Sequence, residues 1–288
     1  ERHRTIALGV NTVGIGLGTL VLVPVAEWLI RTAGWRSAFE LMGIGSFFVY
    51  GLVALASFKP PTPQASVATS IEAVKRAVQR SEFWRFYIAG FFMAIALFVP
   101  FVFLVQYAKD QGISSSTAAF LITSLGVGSV IGRLGLGILG VRIGVLPLIV
   151  FCFAIQPVSY IVWLIAGSNY LLLLLFAALL GVGYGGFVAL SPVAMVGIFG
   201  LEGMGGVLGV QFTSAGFGAL IGPISAGAII DTTGSYAIAI IGAIAISSVA
   251  TIAIYPLLRI TNRDAEAAPE VKTFLSAPNV WLVSPQKR

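Results

Sequence analysis

Residues 143–201 carry no charged side chain, and two further charge-free runs follow at 203–230 and 232–258. A water-soluble fold needs charged positions to face solvent, whereas a helix that crosses a bilayer needs about 20 predominantly apolar residues. Each run is long enough to cross. Extended over the chain, the pattern predicts eight spans, at about 6–30, 35–58, 84–107, 117–139, 143–166, 169–199, 205–230 and 235–258. All are too long for strands, and barrel strands would alternate apolar and polar residues, which these do not. Breakers or polar residues separate the spans, as at Thr32-Ala33-Gly34, Asp110-Gln111-Gly112, Gly167-Ser168-Asn169 and Thr232-Thr233-Gly234-Ser235. The fold class that follows is all-α, a polytopic membrane protein.

The longest interruption divides the chain two spans from six. It opens on Lys59-Pro60-Pro61-Thr62-Pro63, a stiff non-helical exit. The divisions expected are 1–58 with two spans, a cytoplasmic loop at 59–83, six spans over 84–258 and a polar cytoplasmic tail at 259–288. Within the loop, Ile71, Val74 and Val78 share one helical face, and Lys75, Arg76, Gln79 and Arg80 lie largely opposite. That arrangement predicts a short amphipathic helix on the cytoplasmic membrane surface.

Composition agrees. Hydrophobic residues make up 58% of the chain and charged residues 10%, which excludes an ordinary soluble domain. The 34 glycines would weaken soluble helices, but small residues let membrane helices approach closely. Cys152 stands alone inside a span, so there is no disulfide framework. His3 is the single histidine. No Cys/His metal set, nucleophile elbow or phosphate-binding glycine loop is present, so no enzyme, metal or cofactor is expected. The net charge of +6 follows topology. With the N-terminus inside, only Arg31, Arg36 and Lys109 of the 17 basic residues fall outside, and the other 14 fall inside. Both ends of the chain are then cytoplasmic. The basic residues are spread over loops rather than gathered in one patch, which argues against nucleic acid. The chain opens on Glu1-Arg2-His3-Arg4 with no Met and enters a span at once, which reads as the interior of a longer protein.

Several local runs resemble one family. Arg2-His-Arg-Thr-Ile-Ala-Leu-Gly-Val-Asn-Thr-Val-Gly14 and Gly34-Trp-Arg-Ser-Ala-Phe39 resemble the fifth and sixth helices of monocarboxylate porters. The stretch from Pro100 to Gly112, followed by Ala118-Ala-Phe-Leu121, is similar to helices seven and eight of bacterial members. So are Gly181-Val-Gly-Tyr-Gly-Gly186 with Ser191-Pro192, and Gly222-Pro-Ile-Ser-Ala-Gly-Ala-Ile-Ile-Asp231. The chain resembles the C-terminal two-thirds of a major facilitator superfamily transporter, whose two six-helix halves are joined by a cytoplasmic loop. The resemblance implies that the eight spans are helices five to twelve of an expected twelve, the first four belonging to the same protein. It departs from the pattern after helix eight, where the usual acidic loop position holds Val141.

Candidate chemistry is sparse. Arg133 lies within a span, where an arginine costs about 2.5–3.5 kcal/mol on insertion scales. One reading is contact with a substrate carboxylate through two parallel hydrogen bonds. In the porters resembled, an arginine at the matching place is associated with the substrate; four residues earlier many carry Asp, where this chain has Ser129. The other reading is a loop arginine that snorkels to the inner surface. Tyr184, among glycines in the tenth helix, and Gln211, a polar outlier in the eleventh, are candidates to line the cavity. Glu27 and Glu40 are carboxylates inside spans, each spaced i,i+4 from Arg31 and Arg36 respectively. They read either as proton-coupling groups or as an outer salt-bridge cluster.

The resemblance implies a secondary transporter, a symporter coupled to protons, that moves a small organic anion across the cell membrane by alternating access. The bacterial inner membrane is the expected location. A facilitator for another small solute or drug is the alternative, or a truncated, non-transporting membrane scaffold or sensor.

Overall fold

The computed structural model describes residues 2–56, 67–200 and 203–258; within them, side chains are described from residue 25 onward, except at 27, 31, 56, 67–69 and 141. Among the described residues eight helices follow one another: α1 (Arg2–Ala56), α2 (Val67–Val78), α3 (Ser81–Asp110), α4 (Ser115–Ile143), α5 (Val145–Ala166), α6 (Tyr170–Phe199), α7 (Met204–Thr233) and α8 (Tyr236–Ile254). Seven segments in the described residues are long and apolar enough to cross a membrane: Thr32–Leu55 and one from each of α3 to α8. The expected first span at 6–30 falls on the part of α1 whose side chains lie largely outside the described residues. The tail from 259 lies wholly outside them.

The expected turn near Gly34 is a break one residue wide. Gly34 takes φ 80 and ψ 161 between two helical stretches. That left-handed φ is open to glycine and strained for other residues. At the later turns the polar residues close helix ends. Asn169 Oδ1 accepts from the Leu171 and Leu172 amides at 3.1 and 3.3 Å, and Ser235 Oγ accepts from Ala237 at 3.2 Å. Each relieves amide groups that a helix start leaves without partners.

Helices α3 to α8 pack side by side. The closest neighbours are α4 with α6, α5 with α6, and α3 with α7, while α8 lies against both α3 and α5. Helix α1 meets the bundle mainly at α4. Two apolar clusters fill the interior. One gathers Phe83, Phe86, Ile149, Phe153 and Met195. The other gathers Leu104, Leu121, Tyr160, Trp163 and Phe176. The outside is also apolar: Phe120, Ile138, Leu171 and Ile252 are all more than half exposed. A soluble protein does not present so much apolar surface, and a lipid-facing bundle does.

Helix α2 is the expected short helix, and one of its faces meets protein. Its buried residues are Ala73 and Ala77, with Val74 and Val78 packed alongside, whereas Ile71 is 50% exposed. The apolar stripe is rotated from the one anticipated and is spent on protein, because α2 docks on α7 where Gly206 leaves room beside Val74 and Ser70. Arg80 then reaches the end of α6. Its Nη1 donates to the Ile198 carbonyl at 2.9 Å, and its guanidinium lies over Phe199 and 3.4 Å from Glu82. A cation at a helix C-terminus satisfies an end carbonyl and complements the helix dipole.

Candidate functional site

The seam between α4 and α6 positions the site. A Cβ on Gly132 of α4 would fall 2.2 Å from the Val182 carbonyl oxygen, and one on Gly185 of α6 would fall 2.0 Å from that of Ser129. The two helices therefore approach through glycine on both sides, backbone against backbone. This closeness brings Arg133, one residue past Gly132, beside Tyr184, one residue before Gly185.

Arg133 is 3% exposed and is the one charged side chain among the described residues that is buried. Its guanidinium carbon lies 5.8 Å from the centroid of the Tyr184 ring, a cation–π approach. Phe101 of α3 makes an edge contact with that ring at 6.2 Å, and Phe98 lies 5.7 Å from Phe101. The hydroxyl of Ser129, one turn before Arg133, is buried and unbonded among the described residues. A guanidinium here can grip an anion with two parallel hydrogen bonds, with aromatic faces beside it to bound a small apolar body.

The other candidates lie apart from this pair. Gln211 is buried on α7, and its Nε2 donates to the Phe86 carbonyl of α3 at 3.1 Å, close to Gly90 and Ser214. Its Oε1 has no hydrogen-bond partner among the described residues. Glu40 is exposed on α1. The anticipated pair of Arg36 with Glu40 does not form; the Arg36 guanidinium lies 4.3 Å over the Trp35 ring instead. Exposed ion pairs gain little over solvation, so a neighbouring indole competes readily. The Glu27 and Arg31 side chains lie outside the described residues. Neither Phe101 of α3 nor Tyr160 of α5 stood among the candidate residues of the sequence. The signal for both was Pro100, which lies inside α3 next to Phe101 and four residues past the Ala96 carbonyl that Tyr160 reaches.

Fold and site together define a polytopic helical membrane protein with a buried cation at the seam of two glycine-packed helices. A profile of the Major Facilitator Superfamily matches residues 1–110 and 86–285, and the chain belongs to that superfamily. Monocarboxylate transporter 4 of Gallus gallus is 29% identical over 249 residues, covering 82% of this chain and 52% of its own length. Monocarboxylate transporter 12-B of Danio rerio is 29% identical over 282 residues, with 81% and 56% covered. An MFS-type transporter of Gibberella moniliformis is 28% identical over 239 residues, with 81% and 56% covered. The likeness to monocarboxylate transporters read from the motifs is thus present over most of the chain. The chain spans about half the length of the curated relatives it matches.

Proposed function

We propose that the chain is part of a secondary transporter that carries a small organic anion of the monocarboxylate type, with Arg133 as the group that holds the carboxylate. The observation that carries this reading is the burial of Arg133 beside Tyr184 and Phe101. A guanidinium in so apolar an interior is expensive. An anionic substrate returns part of that cost each time it binds, and a neutral solute does not. Transport by relatives named as monocarboxylate transporters supports the same substrate class.

The working cycle would be alternating access, with the α3–α8 bundle rocking against the bundle to which α1 contributes. Residues 1–58 would belong to the N-terminal half, 59–83 to the cytoplasmic connection and 84–258 to the C-terminal half, with both ends of the chain cytoplasmic. Proton coupling would use Glu27 or Glu40 on α1, since no carboxylate is buried among the described residues of α3–α8. Tyr184 would bound the substrate, and Gln211 would line the cavity from α7.

The test is uptake of a labelled short monocarboxylate into proteoliposomes holding the complete protein. Arg133→Lys keeps the charge and loses the fork. It is expected to weaken apparent affinity by about ten- to a hundredfold, the scale of one or two charged hydrogen bonds. Arg133→Ala is expected to do worse. Wild-type affinity and rate in the lysine variant, at matched expression, would leave Arg133 as a surface-seeking arginine and overturn the reading.

A further inference from the structure

Helices α3 and α5 each contain an internal proline, Pro100 and Pro157. Proline has no amide hydrogen, so it leaves the carbonyl four residues earlier without its helical donor. In α3 that carbonyl belongs to Ala96, and in α5 to Phe153. Both residues are fully buried, where water is not at hand. Each vacancy is filled by a hydroxyl from another helix. Tyr160 of α5 donates to Ala96 O at 2.5 Å, and Thr251 of α8 reaches Phe153 O at 2.9 Å, sharing its one hydrogen with Ser247 O of its own helix at the same distance.

The two bonds form a relay. Phe153 and Tyr160 are seven residues apart, two helical turns, and so lie on one side of α5. That helix receives support from α8 at its own proline and passes support to α3 at the next. Gln156, between them, adds a bond to Met93 O of α3 at 3.1 Å. The acceptors Met93 and Ala96 climb α3 as the donors Gln156 and Tyr160 climb α5. Tyr160 itself is fully buried and is fixed from its other side by Trp163 and Phe176.

The residue directly after Pro100 is Phe101, whose ring meets Tyr184, and Tyr184 in turn lies under Arg133. The direction α3 takes beyond Pro100 therefore decides where the aromatic wall of the site stands. We propose that Tyr160 is a positioning residue of that site. Its hydroxyl occupies the hydrogen-bond vacancy opened by Pro100, and by holding α3 in one geometry at the proline it presents Phe101 to Tyr184. Thr251 does the same service for α5 at Pro157. This inference rests on Arg133 and Tyr184 forming the substrate site.

The experiment is a double-mutant cycle in the complete protein, with Tyr160→Phe, Pro100→Ala and both together. Removing the hydroxyl alone strands the Ala96 carbonyl. The melting temperature is expected to fall by a few degrees and the apparent KM for monocarboxylate uptake to rise about three- to tenfold, with turnover less affected. In the Pro100→Ala background, the new amide satisfies Ala96, so Tyr160→Phe is expected to cost nothing further in melting temperature. Should Tyr160→Phe alone fail to reach the membrane, Pro100→Ala is expected to restore it. An equal melting penalty in both backgrounds, or no restoration, would show that the hydroxyl does not serve the proline vacancy. A coupled melting penalty with an unchanged KM would reduce Tyr160 to a purely structural role and overturn the proposal. Failure of the site reading shows elsewhere, as an unchanged KM in Arg133→Ala, and the melting cycle is blind to that outcome.

Discussion

At the scale of single residues, the chain invests its few polar side chains where the backbone lacks partners. Asn169 holds two amides at the start of α6, Arg80 holds a carbonyl at its end, and Tyr160 and Thr251 hold carbonyls freed by proline. The two carbonyls freed by proline are fully buried with no water to fall back on, so the bonds from Tyr160 and Thr251 weigh more than the exposed ones at the helix ends. Asn169→Ala should lower stability by about 1 kcal/mol, read as a drop in melting temperature of the purified protein, and Asn169→Asp should retain most of it. Arg133 was legible in the sequence as a lone charge inside a span. Its alternatives were separable only in three dimensions, because snorkelling and inward burial depend on which way the side chain turns. At 3% exposure the side chain is buried, and uptake by Arg133→Lys is the measurement that separates the two. Tyr160 was not legible as a partner of Ala96. Pro100 announces a vacant carbonyl four residues earlier, but nothing in the order of residues says that a hydroxyl 64 positions away will fill it.

At the scale of helices, close packing rests on glycine at chosen points rather than on glycine in bulk. Gly185 has the Ser129 carbonyl in the space a Cβ would need, at 2.0 Å, whereas Gly135, on the same helix as Arg133, has nothing within 4 Å. Gly185→Ala should force α4 and α6 apart and cost about 1–3 kcal/mol. Gly135→Ala should be neutral or slightly stabilising, because alanine is the better helix former. Melting curves of the two variants side by side check the contrast; equal behaviour would mean that the seam is looser than described. Helix positions themselves were well marked in the sequence. The apolar pattern placed spans at about 84–107 and 169–199, and the helices run Ser81–Asp110 and Tyr170–Phe199. Hydropathy marks the apolar stretch, and the few further residues of α3, Ser81 and Glu82 at its start and Lys109 and Asp110 at its end, are polar ones that hydropathy discounts. Helix α2 was legible as a helix and misjudged as to what it touches. Its small Ala73 and Ala77 form the buried face, and small residues weigh little in an amphipathic reading that looks for Ile and Val.

At the scale of the whole molecule, the account makes a claim about orientation and a claim about cargo. If the basic residues set topology, Gln79 beside α2 and Gln111 after α3 lie on opposite sides of the membrane. Both are exposed, and Cys152 is buried, so single cysteines at those two positions in a Cys152→Ser background should be cleanly reported. An impermeant thiol reagent added to intact cells should label Gln111→Cys and leave Gln79→Cys unlabelled, and the reverse pattern would invert the topology. The cargo claim is the central one, and it rests on a buried guanidinium that discriminates charge. Its most direct test is uptake, by the complete protein in proteoliposomes, of a radiolabelled short monocarboxylate in competition with its own neutral amide. The two solutes match in size and differ in the group that Arg133 would grip. The account predicts saturable uptake of the carboxylate, no competition from an excess of the amide, and loss of that uptake in Arg133→Ala. Equal transport of the two solutes, or undiminished uptake in the alanine variant, would contradict it.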